Sequence, residues 1–274
     1  MKRLLAGGFA LSAALLVSGC MHGGDWGGNA VKATTSESRP LTKNGRFSLE
    51  NTNGGVEVTG WDEAQVKIEA TKRARSERLL EALRIEIEAE GDKVRVRTRY
   101  PRPRFFGGGS GQVDYRVYVP RTARVSVETV NGSVEVSGVA AQVEASTVNG
   151  SVEVREAAGE VEASAINGDV EASLSSVDPE GRSRLHTTNG SVHLTLPADA
   201  NADLEASTVN GGVDCDFELD GGRKSRRKLD GKIGSGGARF DLGTVNGSVN
   251  IERGLSARAA APPPAEAAPA AASH

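Results

Sequence analysis

Large side chains are scarce in this chain. Aromatic residues make up 4% of its 274 positions, and methionine and cysteine occur twice each. A broad core built on rings is excluded, and a narrow one of Val, Ala and Thr is indicated. Two cysteines, Cys20 and Cys215, do not make a disulfide framework, because the first lies in an N-terminal processing signal and leaves the second alone. A formal net charge of −3 gives no electrostatic footprint for nucleic acid. No Gly-x-Ser-x-Gly elbow and no phosphate loop occurs. His22, His186, His193 and His274 are scattered; only His186 and His193 share a period, and no carboxylate or cysteine pattern completes a metal set with them. No catalytic residue, metal or cofactor is expected.

A sustained apolar run appears at the N-terminus, from Leu4 to Val17 behind the basic start Met1-Lys2-Arg3. It is too short to span a bilayer comfortably and is followed by small residues, so residues 1–19 read as a secretory signal peptide. Its end, Leu16-Val17-Ser18-Gly19-Cys20, resembles the bacterial lipobox, in which the cysteine thiol receives a lipid and becomes the mature N-terminus. Cys20 is thus the expected lipidation site and the membrane an expected partner. Met21 stands where an Asp would favour inner-membrane retention in enterobacteria. For a Gram-negative chain that implies the outer membrane, with the cell envelope as location and the leaflet left open. Residues 20–42, rich in Gly, Ser, Thr and Ala up to Pro40, read as a flexible tether.

What the chain has in abundance is Asn-Gly. The pair recurs at Asn53, Asn131, Asn149, Asn167, Asn189, Asn210 and Asn246, inside a pattern seen most cleanly as Ser146-Thr147-Val148-Asn149-Gly150-Ser151-Val152-Glu153-Val154. From Asn131 onward the steps are 18, 18, 22, 21 and 36 residues, the last reading as two periods with one Asn-Gly missing. A fixed period near 20 with alternating hydrophobicity is the mark of a stacked, repetitive β architecture. Three and five positions after each Asn stand apolar residues such as Val134 and Val136; two and four before it stand Thr or Ala and Val, Ala or Leu. These four columns share one parity and point inward. Cys215 falls in one of them, as a buried structural thiol.

Each period is therefore two short strands joined by Asn-Gly, whose residues tolerate the positive φ of a sharp corner. A hairpin meander and a parallel solenoid both use such a corner. Like residues at matching positions of successive periods favour the solenoid, stacked at about 4.8 Å. Before the repeats, alternation from Arg46 marks further strands, and Ser76 to Leu83 is the one helix-like patch, a lid on the end of the stack. Pro101 to Gly111, with Phe105 and Phe106, reads as a loop.

The series Asn53-Gly54-Gly55-Val56-Glu57-Val58-Thr59-Gly60-Trp61-Asp62, Tyr115-Arg116-Val117-Tyr118-Val119-Pro120, the Thr-Val-Asn-Gly-Ser-Val repeats and Gly231-Lys232-Ile233-Gly234-Ser235-Gly236-Gly237 resembles the bacterial "putative adhesin", or toastrack, domain of unknown function, over roughly residues 43–254. The resemblance implies an all-β, single-domain β-solenoid on the cell envelope, associated with adhesion or envelope stress, without catalytic residues to carry over. The basic stretch near residue 225 and the tail 255–274, Pro/Ala-rich and expected to be disordered, depart from the family pattern.

Two outward features carry charge. Four positions after each Asn stand Glu57, Glu135, Glu153, Glu171, His193, Asp214 and Asn250, a ridge of like charges open to a cation or a basic partner, or else a solvated surface. Arg223, Lys224, Arg226, Arg227 and Lys228 form a basic loop that fits an anionic glycan or lipid. The expected function is that of a non-enzymatic, lipid-anchored envelope scaffold or interaction surface. Its alternatives are an anionic glycan or lipid binder through residues 223–228 and, more remotely, a glycan-active β-helix enzyme. An envelope protein or anionic glycan is the further partner, and nucleic acid is not one.

Overall fold

The computed structural model describes residues 30–101 and 111–254. The signal peptide and Cys20, the central part of the Phe105-Phe106 loop and the C-terminal tail lie outside them. In chain order the elements are β1 (Val31–Pro40), β2 (Arg46–Glu50), β3 (Val56–Trp61), β4 (Gln65–Ala74), α1 (Glu77–Ala82), β5 (Arg84–Glu90), β6 (Lys93–Arg99) and β7 (Gln112–Pro120). The repeats follow as β8 (Arg124–Asn131), β9 (Val134–Ser137), β10 (Val143–Asn149), β11 (Val152–Ala157), β12 (Val161–Asn167), β13 (Val170–Leu174), β14 (Arg182–Asn189) and β15 (Val192–Leu196). The chain closes with β16 (Ala202–Asn210), β17 (Val213–Cys215), β18 (Asp220–Lys224), β19 (Lys228–Ile233), β20 (Ala238–Asn246) and β21 (Val249–Arg253).

These strands make two sheets. The first runs β1-β4-β7-β3-β9-β11-β13-β15-β21-β17, the second β18-β19-β16-β20-β14-β12-β10-β8-β2-β6-β5. Each period supplies one strand to each sheet and pairs in parallel with the next, so Val134, Val152, Val170, Val192, Val249 and Val213 lie in one register column. The arrangement is the parallel solenoid, not the meander. Its inward columns meet in one core, with Val152, Leu185, Leu194, Ala206 and Val249 all 0% exposed.

Spatial order departs from chain order at both ends. The coil β20–β21 threads back between β14–β15 and β16–β17, and β2–β3 sits between β6–β7 and β8–β9. The 36-residue step is therefore not two periods lacking a corner. It is a hairpin, β18–β19, set antiparallel on β16, followed by a coil inserted between two older ones. At the other end β5 pairs antiparallel with β6, and β4 with β7. Antiparallel strands thus close a parallel stack. Val31–Pro40, read as part of the tether, forms β1 on β4 with a continuous ten-residue register. Alternate side chains of this segment are half-buried, which a purely compositional reading does not register. The helix is where Ser76 predicts it: the Ser76 hydroxyl accepts from Leu79 N–H at 3.3 Å, and Leu79 and Leu83 are buried.

The corner chemistry differs from expectation in one respect. Gly132, Gly150, Gly168, Gly190 and Gly247 have φ between 144° and 159°, whereas Glu156 alone among described non-glycine residues has positive φ. The asparagines serve otherwise. Asn131 Nδ2 donates to Asn53 Oδ1, and Asn149, Asn167, Asn189, Asn246 and Asn210 continue the series, each amide giving one hydrogen bond to its neighbour at 2.8–2.9 Å. Behind this ladder Thr147, Thr187, Thr208 and Thr244 are nearly buried, and each hydroxyl donates to a glycine carbonyl of the adjacent coil at 2.7–2.9 Å. Ala165 interrupts that column.

The coil β6–β7 lacks Asn-Gly, and another polar set holds its corner. Asn51, 6% exposed, donates to the Val113 carbonyl at 2.9 Å, and the Tyr100 hydroxyl lies 2.8 Å from both Asn51 Oδ1 and the Asn53 carbonyl. Burial pushes the Tyr100 phenol up to about 12 and raises that of Tyr115 as well.

Three outcomes are expected. Gly150→Ala, whose new Cβ would lie 2.3 Å from the Gly132 carbonyl oxygen at φ +144°, should cost about 3 kcal/mol, against about 1–2 kcal/mol for Asn149→Ala, which breaks two ladder bonds. Ala165→Thr should gain about 1 kcal/mol by giving the Gly150 carbonyl the hydroxyl partner its equivalents have; urea unfolding midpoints of the three variants test this. The stability that depends on neutral Tyr100 is complete below pH 10 and is lost as the pH rises toward about 12. The expected slope is about 1.4 kcal/mol per pH unit for that residue, and Tyr100→Phe should remove its share.

Candidate functional surfaces

The first sheet's outer face carries the acidic ridge, in the spatial order Glu57, Glu135, Glu153, Glu171, His193, Asn250 and Asp214. Neighbouring arginines neutralise part of it. Arg116 pairs with Glu57 at 3.0 Å, and Arg155 bridges Glu135 and Glu153. Among the described residues no group of His, Cys, Asp and Glu is placed to hold a metal ion. The two histidines of one period are not brought together. His186 projects from the second sheet 3.5 Å from Asp241, and His193 from the first, its Nδ1 3.3 Å from Asn250 Nδ2. Cys215 is only half-buried, because β17 is the last strand of its sheet; burial still pushes its thiol upward.

The basic stretch is a hairpin rather than a loop. Arg223 and Lys224 end β18, Lys228 begins β19, and the Ser225 hydroxyl accepts from Lys228 N–H at 3.0 Å across the turn. All five cationic side chains are exposed. Lys228 pairs with Glu205 at 3.2 Å; for Arg223, Lys224, Arg226 and Arg227 no ion pair occurs among the described residues. The tip is fixed to the stack by its backbone: the Arg227 carbonyl accepts from Thr208 N–H at 2.9 Å and the Arg226 carbonyl from Val213 N–H at 3.0 Å. Arg226 and Arg227 thereby extend the line of Asn-Gly corners by one step beyond Asn210. A cleft of about 630 Å³ opens there, between Gly211, Gly212 and Asp214 on one side and Lys224 and Arg226 on the other.

One surface was not read from the pattern of inward columns. The residue just before each Asn points outward, yet it is Val130, Val148, Ile166, Val245 and Val209, with Thr188 between Ile166 and Val245. Val130, Ile166, Val209 and Val245 are 38%, 47%, 55% and 41% exposed and are all the large exposed hydrophobics among the described residues. Ser146, Ser164 and Ser207 flank this ridge on the second sheet, and Ser133, Ser151 and Ser248 lie beyond the asparagines on the first. The signal was present: an apolar residue at outward parity, repeated in five of seven periods.

Similar solved structures include a putative cell adhesion protein from Clostridium sporogenes, 10% identical, covering 81% of this chain and 100% of its own, with a TM-score of 0.48. Others are a putative adhesin from Bacteroides fragilis, 10% identical over 80% and 97% with a TM-score of 0.42, and a putative lipid binding protein from Parabacteroides distasonis, 12% identical over 80% and 97% with a TM-score of 0.33. No curated protein matches the chain. The family model described as Toastrack DUF4097 matches residues 41–252, and the chain accordingly belongs to the Toastrack family.

Proposed function

We propose that this protein is a non-enzymatic, lipid-anchored scaffold of the bacterial envelope, held by a lipid on Cys20, that presents its solenoid sides to partners. The observation that carries the reading is the register-locked stack, in which the unbroken asparagine ladder from Asn53 to Asn210 keeps each outward column straight over seven coils. A rod of fixed columns suits a role in holding and presenting surface. The lipobox-like end of the leader supplies the attachment. Cys20→Ser should move the protein from the detergent phase to the aqueous phase in a detergent partition, and intact-mass measurement should find acyl groups on the wild-type N-terminal cysteine. An unmodified Cys20 with unchanged partition would reject the anchor.

A second reading rests on the hairpin tip, where four cations stand without ion pairs among the described residues: it binds an anionic glycan or lipid headgroup. Changing Arg223, Lys224, Arg226 and Arg227 to Ser should abolish salt-sensitive retention on an immobilised sulfated glycan or on phosphatidylglycerol. Retention equal to wild type sinks this reading and leaves the anchor untouched.

A further inference from the structure

We infer that the asparagine edge of the solenoid lies against an anionic phospholipid bilayer, with the Val130–Val209 ridge seated at its surface and the Arg226-Arg227 tip on its headgroups. The inference rests on the proposed anchor and on the cationic tip. It adds a surface, an orientation and one occupant.

Three observations converge on this edge. First, exposed large hydrophobics are confined to it among the described residues, in one straight line. With a strand spacing of about 4.8 Å, the line from Val130 to Val209 runs about 24 Å. Second, the band around it is mostly Ser, Thr, Asn and Gly, with Glu128 and Asp169 the acidic exceptions, in a chain that is 25% charged. Small hydroxyls and amides beside a shallow apolar ridge suit a headgroup layer, where polar groups remain hydrated and apolar ones leave water. Third, the tip continues the same edge. Its backbone is hydrogen-bonded to Thr208 and Val213, so its cations sit at the end of the ridge and not on a separate face.

The anchor supplies the geometry. Cys20 precedes Val31 by eleven positions, and Val31–Pro40 is the outermost strand of the first sheet, at the end of the stack away from the tip. Lipid attachment near one end and cations at the other define a rod lying along the membrane. A second copy is the competing occupant. The band, about 24 by 15 Å, offers on the order of 400 Å² per partner, half of what a stable protein interface uses. Nor does that pairing employ the tip, since two such edges would set like charges together or leave both tips idle.

The test uses the full chain with Cys215→Ala, carrying an environment-sensitive fluorophore on Ile166→Cys at the ridge or on Ala140→Cys at the opposite corner. It is mixed with phosphatidylcholine vesicles with or without about 30% phosphatidylglycerol, some carrying spin-labelled acyl chains. Quenching at position 166 should exceed that at 140 at least threefold in the anionic vesicles. Arg226→Ser with Arg227→Ser, which leaves the backbone bonds of the tip in place, should bring it down to the level at 140. Quenching at 166 no greater than at 140, or a difference that persists in neutral vesicles or in the double variant, overturns the inference. Self-quenching at 166 that grows with surface density and is insensitive to lipid charge identifies a second copy and also overturns it. Flotation with phosphatidylcholine vesicles alone reads the anchor separately: a chain that does not float with neutral vesicles yet is quenched at 166 in anionic ones retains the docking surface and loses the lipid.

Discussion

Everything in this solenoid depends on how closely one coil approaches the next at the Asn-Gly corner. A Cβ on Gly132, Gly150, Gly168, Gly190 or Gly247 would sit 2.0–2.3 Å from the carbonyl oxygen of the glycine one coil away. Only a residue without a side chain lets the backbones stack there, and only it adopts the φ of 144–159° that turns the chain from one sheet to the other. Once glycine permits the approach, the asparagine before it lies directly over its neighbour, and its amide bonds along the stack. Threonine two residues earlier donates its hydroxyl to the glycine carbonyl from the inside. One close contact is thus held from both sides, by an exposed amide ladder and by a nearly buried hydroxyl ladder.

This geometry accounts for the composition. Sheets joined by such tight corners enclose a thin core, which Val, Ala and Leu fill and rings would overfill. Phe47, Phe217 and Phe240, the buried phenylalanines among the described residues, lie in or near the terminal coils, away from the central repeats. The stack must also limit its open parallel edges. Antiparallel strands end both sheets at one end, β1 and β4 in the first and β5 in the second. At the other end β18 and β19 cap only the second sheet, and β17 stays a parallel edge of the first, with Val213 N–H donating to the Arg226 carbonyl of the hairpin turn. The hairpin that caps the second sheet carries the cationic tip, so one element ends that sheet and displays charge.

A rigid stack converts repetition in sequence into lines on the surface. The acidic ridge, broken by Arg155 and Arg116, is one line, and the apolar ridge beside the asparagines is another. Each sits in fixed relation to both ends of the rod. That relation, and not any single residue, separates a charged side of the rod from one that carries an apolar line between small polar residues.

Much of this was legible from local pattern. Period-two alternation around a recurring Asn-Gly names the strands, the corners and the inward columns of Val, Thr and Ala, because side-chain parity in a strand is a property of the chain itself. Ser76 marked the helix because a hydroxyl before the first turn can accept from a free N–H, an equally local property, and the parity that points Val130 and Ile166 outward is legible in the same local way. Other features depend on which coil lies beside which. The threading of β20–β21 between older coils, the pairing of Val31–Pro40 with β4, the neutralisation of Glu135 by Arg155 and the seating of Arg226 and Arg227 at the end of the corner line all join residues far apart in the chain or across coils. Hydrogen bonding between strands sets them, and a sequence read one period at a time carries the period but not the neighbour.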